Sequence, residues 1–303
     1  MTIEEVVKLF REKPYLMKKG KGEIGRRLKI NPDLVDRAKQ LARSGQRPPK
    51  ILLFDLETAP LKAFVFNLWK QNIAWDHTLS QWYILAWSAK WLYSKEVYSA
   101  HLTSEEAKKE DDSRILKGLW KLIDEADIVV THNGNRADIP WMNTRFILNG
   151  LRPPTPYFSV DTCEVARKNF AFSSNKLDAL AGYFGIPHKM DTDFDLWRKC
   201  TEGDAKALKY MSDYNIKDTI ILEEVYLKLR PWIKGHPNCG NYIDSEVPVC
   251  SICGSSNLTK LSGQYYYTSV GKYQLYRCSK CGAVSRGRRN LNIRSVKTIS
   301  VGK

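Results

Sequence analysis

The stretch "KILLFDLETAP", residues 50–60, limits the fold more than any other part of the chain. Its apolar run from Ile51 to Phe54 has the length of a buried strand, and Pro60 ends it. Asp55 and Glu57 lie two apart near the end of that run, so strand alternation points both carboxylates to one face. Burying two acids together is costly unless a cation offsets the charge. Oxygen ligands of this kind suit the hard ions Mg²⁺ or Mn²⁺ better than zinc. Taken alone, such a pair more often just caps the turn at a strand end.

The pattern around this strand predicts an α/β domain with a mixed sheet flanked by helices. The segments "AFVFNLW", "WYILAWSAKWLY" and "EVYSAHL" suit antiparallel strands. A helix is expected over 113–125, a second buried strand at "DIVVTHN", a helix over 138–148, a strand near "PYFSVDT", and two further helical stretches. Three strands followed by alternating helix and strand is the order of ribonuclease H-like domains. At the second buried strand, His132 and Asn133 end the run and Gly134 permits a turn. Asp138 then opens the next helix, where its charge suits the helix N-terminus and its position lies just beyond the carboxyl end of a strand. In "SDYNIKDT", Tyr214 and Asp218 are four apart on a long apolar-periodic helix, so a phenol and a carboxylate address the same point.

As a set, "FDLET", "THNGNRADIP" and "YNIKD" resemble the three motifs of the DEDD exonuclease superfamily, in its tyrosine branch. They resemble especially the stand-alone domains related to the proofreading exonuclease of family B DNA polymerases. The resemblance spans roughly residues 50–233 and includes the linking "VDTCEVARKNFAFSSNKLDALAGYFGI". It implies that Asp55, Glu57, Asp138 and Asp218 hold two Mg²⁺ or Mn²⁺ ions and that Tyr214 positions the attacking water. The implied chemistry is two-metal 3′–5′ hydrolysis of phosphodiester bonds, DNA favoured and RNA also a candidate. The histidine branch would carry His at position 213, which is Asp here. Ala137 stands where relatives usually carry an aromatic residue.

Charge is divided unevenly over the 303 residues, which carry a net +15. Residues 1–50 hold a surplus of 8 positive charges and residues 247–303 a surplus of 10, so the stretch between is slightly acidic at −3. Two basic arms around an acidic core suit a polyanion held by its phosphates, with solubilising flanks as the alternative. The first arm, residues 1–46, begins with an amphipathic segment at "IEEVVKLFRE". It continues as helix, tight turn at 29–31, helix, with Asn31 as N-cap and Pro32 at the first helical position. Ile24 and Leu28 line the first of these helices, and Leu34, Ala38 and Leu41 the second. This order fits a helix-turn-helix and a generic helical hairpin equally. Arg26, Arg27, Arg37, Lys39 and Arg43 are its candidate nucleic-acid contacts, and Asn133 is another in the core. "SGQRPP", residues 44–49, reads as a linker to the core at 50–235.

In the second arm, Cys250, Cys253, Cys278 and Cys281 form two CxxC pairs, each followed by glycine. This predicts a zinc ribbon over 246–290, its single Zn²⁺ structural because four thiolates leave no open position. Disulfides are the alternative, disfavoured in a chain expected to be intracellular and cytoplasmic. "QYYYTSV" and "YQLYRC" read as ribbon strands. Arg286, Arg288 and Arg289, several tyrosines and a basic tail at 291–303 suit phosphate contact and base stacking. Cys163, Cys200 and Cys239 fit no metal spacing, and His236 reads as a loop residue. The rival readings are a nucleic-acid-binding protein with an inactive exonuclease fold and a ribonuclease H-like endonuclease. No run approaches a membrane span.

Overall fold

The computed structural model describes residues 2–44, 47–67, 69–187, 190, 192–243, 245 and 247–292. The chain forms two compact units: one takes the segments up to Pro49 and from Arg230 on, and the other is the continuous stretch Lys50–Leu229. Residues 230–235, expected with the core, therefore group with the basic arms. No helix among the described residues is long and apolar enough to cross a membrane.

The first unit opens with α1 (Ile3–Glu12), α2 (Lys21–Leu28) and α3 (Pro32–Ser44). Between α2 and α3, Lys29 takes a left-handed conformation and the Asn31 side chain caps the Asp33 amide at 2.9 Å. Gly25 is needed at this turn, since a Cβ there would lie 3.0 Å from the Ile30 carbonyl oxygen. Val6, Val7, Phe10, Ile24, Val35, Ala38 and Leu41 form the helical core, and Ile243 from the later segment closes it.

In the second unit, β1 (Ile51–Thr58) is the centre of a five-stranded sheet. The chain next makes a small hairpin, β2 (Lys62–Ala63) with β3 (Thr78–Ser80), then β4 (Ile84–Trp91) and β5 (Tyr98–His101). There follow α4 (Ser104–Lys109), α5 (Ser113–Glu125), β6 (Ile128–Thr131), α6 (Asp138–Leu148) and β7 (Phe158–Asp161). Four helices complete the unit: α7 (Thr162–Asn169), α8 (Leu177–Tyr183), α9 (Phe194–Thr201) and α10 (Ala205–Leu229). Sheet order is β5-β4-β1-β6-β7, antiparallel on the β4 side and parallel on the β6 side, so the fold is the expected ribonuclease H-like mixed sheet.

Two expectations need correction. "AFVFNLW" is not a sheet strand: both edges of β1 are taken by β4 and β6, and only Lys62 and Ala63 pair, in the hairpin. Phe64, Phe66 and Trp69 are left exposed. Among the described residues, the helical tail of the unit holds four helices rather than two, because capped short segments such as α7, whose Asp161 accepts from the Cys163 and Glu164 amides, are stable within the packed unit.

Neighbouring residues of β4 show how the layers are tied. Trp87 turns to one face and donates its indole N–H to the Ile115 carbonyl of α5 at 2.8 Å. Ser88 turns to the other face and donates to the Asn215 carbonyl of α10 at 2.8 Å. Asp55 pairs with Ser88 in the sheet register, which places the β1 carboxylates on the α10 face.

The later part of the first unit forms a three-stranded sheet, β8 (Leu258–Tyr267), β9 (Lys272–Cys278) and β10 (Val284–Arg286), paired in the order β10-β9-β8. Together with its cysteines this fits a zinc ribbon. Most of the basic tail, residues 293–303, lies outside the described residues, as do Gly45 and Gln46 of the linker and Glu246.

Candidate functional site

Apolar β1 delivers its two acids at the point where burial gives way to partial exposure. Opposite them, α10 presents Tyr214, Asn215 and Asp218. The helix is locked to β4 by Ser88, which also shares a 2.6 Å hydrogen bond with Thr219, and by the buried Lys90–Glu223 ion pair. The carboxylate oxygens of Asp55, Glu57 and Asp218 approach within 4.8 Å of one another. Asn215 donates its side-chain N–H to Asp55 Oδ2 at 2.7 Å. Trp197 of α9 pulls the Glu57 carboxyl down, and Tyr214 does the same to Asp218, each against the larger effect of burial.

Asp138 falls outside that group of three, yet its charge acts on Asp55 and Glu57. Its own amide and that of Leu56 in β1 draw its carboxyl down, against the larger effect of burial. The turn leading to it differs from expectation. Asn133, not Gly134, takes the left-handed conformation, at φ 66°. Gly134 is needed for closeness: a Cβ there would lie 2.4 Å from Thr131 Oγ1 and 2.9 Å from Asp138 Oδ2. Asp161 holds the turn by accepting from the Asn133 and Asn135 amides at 2.8 and 3.1 Å. His132 serves as a tie, with Nδ1 2.8 Å from Thr162 Oγ1 and Nε2 2.8 Å from the Asn175 carbonyl.

The electrostatics of the cluster are those of acids crowded away from water. Burial first, then the charges of Asp138, Glu57 and Asp218, hold Asp55 well above the carboxylate range. Burial, with Asp218 and Asp138 behind it, pushes Glu57 up to about 8. Burial raises Asp138 to about 7 and Asp218 to about 6. The Tyr214 phenol is pushed far up by burial and by Asp218 and Glu57, so it stays protonated and a donor. Hard oxygen donors that resist ionising together fit a divalent cation, whose charge reverses every one of these shifts.

The four paired cysteines form a second cluster, with all four sulfurs within 4.8 Å of one another. The Cys250–Cys281 and Cys253–Cys278 sulfurs are each 3.7 Å apart. A tetrahedron of thiolates around a cation with bonds near 2.3 Å has edges of about 3.8 Å, whereas a disulfide is about 2.0 Å. Gly254 and Gly282 follow each pair at φ +68° and +79°, and their amides donate to the Cys250 and Cys278 carbonyls at 2.8 and 2.9 Å. Hydrogen bonding among the sulfurs pulls Cys250 down to about 7 and lowers Cys278, while raising Cys253 and Cys281. Cys163, Cys200 and Cys239 are buried and lie in neither cluster. His236 Nδ1 meets the Pro237 carbonyl at 2.7 Å.

Of the expected nucleic-acid contacts, Arg26, Arg27, Arg286, Arg288 and Arg289 are exposed. The Arg286 guanidinium lies 4.2 Å from the Tyr273 ring centroid. Arg37 is half-buried against the first cysteine turn: a Cβ on Gly254 would sit 3.3 Å from its Nη2. Lys39 Nζ donates to the Lys19 carbonyl. The Asn133 side chain accepts from Arg167 at 3.5 Å. The Arg43 side chain lies outside the described residues. Asn215 and Trp197 were missed from sequence; Asn215 adjoins Tyr214 inside the quoted motif, while nothing local marks Trp197.

Residues 85–230 match a family of the RNase H superfamily, so the chain carries an RNase H-like domain. The match starts at Leu85 and leaves out β1. Among solved structures, the family B DNA polymerase of the hyperthermophilic archaeon Pyrobaculum calidifontis is similar, with 16% identity over 61% of this chain and a TM-score of 0.44. The aligned region is 26% of that polymerase chain. No curated protein sequence matches.

Proposed function

We propose that the chain is a metal-dependent 3′–5′ exonuclease acting on nucleic acid, DNA favoured. The observation that carries this reading is the meeting of Asp55, Glu57 and Asp218 within 4.8 Å, drawn from β1 and α10 and crowded so that each carboxyl resists ionising. Asp55, Glu57, Asp138 and Asp218 hold two Mg²⁺ or Mn²⁺ ions. Bound there, the ions supply positive charge that makes a water a better nucleophile at neutral pH and offsets charge on the leaving 3′ oxygen. The rest belongs to the chain's own side chains. Asn215 fixes the Asp55 carboxyl by donating to it, and Trp197 favours the charged form of Glu57. The Leu56 amide favours the charged form of Asp138. Tyr214, kept protonated, orients the attacking water and does not abstract its proton.

The tyrosine-branch assignment rests on the motif resemblance together with the mutual effect of Tyr214 and Asp218, one turn apart on α10. Cys250, Cys253, Cys278 and Cys281 hold one structural Zn²⁺, with the exposed arginines of the two arms gripping phosphates. Labelled linear and circular single strands of DNA and RNA, digested with Mg²⁺ or Mn²⁺, test the reading. A ladder shortening from the 3′ end with circles left intact is expected. Cut circles would make the chain an endonuclease, and no release from either strand would make it a binding protein with an inactive fold.

A further inference from the structure

Arg37 of α3, expected as a nucleic-acid contact, is half-buried instead. Its guanidinium lies against the first cysteine turn, where Gly254 follows Cys253 and leaves free the space that a side chain would fill. A Cβ there would come to 3.3 Å from Arg37 Nη2 and 3.7 Å from its Cζ. The Arg37 Nε is buried and has no hydrogen-bond partner among the described residues. Acids on its own helix are turned elsewhere: Asp33 and Asp36 lie 3.8 and 3.1 Å from Lys21 Nζ. A guanidinium held out of water in this way is destabilising unless some other negative charge faces it.

A second arginine approaches the same turn. Arg230, only 2% exposed, donates from Nη2 to the Ile252 carbonyl at 2.5 Å, inside the first cysteine pair, and the same nitrogen lies 3.8 Å from the Cys239 sulfur. Cys239 in turn donates its amide to the Ser251 carbonyl at 2.7 Å. The charges of Arg37 and Arg230 both act on Cys239 and on Lys280, which sits between Cys278 and Cys281, so the cations gather around one spot. Asp33 acts on Lys280 as well, but it is shared with Lys21. The second cysteine turn is bare by comparison: a Cβ on Gly282 would meet nothing within 4 Å, and Cys281 is partly exposed where the other three cysteines are buried. No Asp or Glu follows Glu246, so the later arm has no carboxylate to set against these cations. What it does have is sulfur. Four thiolates outweigh a divalent ion by two negative charges, and a centre of that charge suits the arginines packed on its first turn.

We propose that Arg37 and Arg230 are positioning residues of the cysteine metal centre: they offset its excess thiolate charge and so tie α3 to the first cysteine turn once metal is bound. This rests on the zinc reading of the four cysteines and is independent of the exonuclease reading. The experiment measures zinc affinity on the full chain, by competition with a chromophoric chelator, in wild type, Arg37→Gln and Arg37→Lys. Arg37→Gln should hold zinc about tenfold less tightly, and Arg37→Lys, which keeps the charge, should recover most of that loss. Amide exchange on the wild type gives a readout that needs no variant to fold: stripping the zinc should remove protection from α3 together with β8–β10. Equal zinc affinity in wild type and Arg37→Gln, a loss that Arg37→Lys does not recover, or an α3 that stays protected without zinc overturns the proposal. If zinc affinity is equal while zinc-loaded Arg37→Gln binds a labelled single strand more weakly, Arg37 is a phosphate contact after all. A wild-type chain that binds no zinc sinks the zinc reading and the proposal together, whereas zinc held equally well by Arg37→Gln sinks the proposal alone.

Discussion

The two clusters of ligand-type side chains solve opposite problems. The cysteine site is closed: four sulfurs at tetrahedral spacing hydrogen-bond among themselves, and backbone turns wrap each pair. The carboxylate site is partly exposed and strained by its own charge, its acids raised together despite relief from Asn215, Trp197, Tyr214, Lys217 and backbone amides. Four thiolates leave a cation no open position and so build structure, whereas carboxylates at a partly exposed strand end leave room for a substrate.

Stripping metal separates the two most sharply. Binding energies on the order of 10 kcal/mol are typical of structural zinc sites, so a strong chelator should erase amide-exchange protection in β8–β10 while β1 and β6 keep theirs. Equal loss in both units, or fewer than one zinc per purified chain, would break the contrast. Next in size, Asp218→Ala should lower Mg²⁺-dependent nucleotide release by at least about a hundredfold with zinc content unchanged.

Acidity gives a third test. The carboxyls of Glu57, Asp138 and Asp218 have folded values of about 8, 7 and 6, above their unfolded values. Their contribution to stability is therefore fully present below about pH 4 and is lost as pH rises through these folded values. Metal-free protein should melt several degrees lower at pH 8 than at pH 5, and Mn²⁺ should flatten that slope; a flat slope without metal would show that the acids are not crowded. Gly254→Ala strikes the other site, because its φ is +68° and the new Cβ would meet Ile243 Cδ1 at 2.5 Å. It should destabilise the first unit by roughly 2 kcal/mol in denaturant unfolding and leave nuclease rate per folded molecule intact. The smallest effect is expected from Tyr214→Phe, a loss of about tenfold in rate, near 1.4 kcal/mol, with substrate affinity kept.

Much of the sheet was legible because it rests on local rules. The apolar run of β1, the amphipathic α5 and the acid at the start of α6 carry their signals within a few residues. That Asp55 and Glu57 share a face follows from alternation alone. Their meeting with Asp218 depends on how α10 crosses the sheet, and only the motif resemblance anticipated it. "AFVFNLW" misled because exposed aromatic residues imitate a strand, and what decides is whether a sheet edge is free. Gly134 was read for its backbone freedom when its missing side chain is what matters, since the contacts it avoids come from Thr131 and Asp138 across a folded turn. Trp197 reaches Glu57 from a helix about 140 residues later, a distance over which no sequence period operates.

The discontinuous first unit has a consequence for biosynthesis. Its helical core is closed by Ile243, so residues 1–49 leave the ribosome long before the residue that completes their packing. At about 5–20 residues per second, the 180 residues of the intervening unit take about 10–40 s to make. During that interval α1–α3 wait with part of their apolar surface uncovered while the sheet behind them folds from a continuous stretch. Helices made before the sheet unit are thus finished after it.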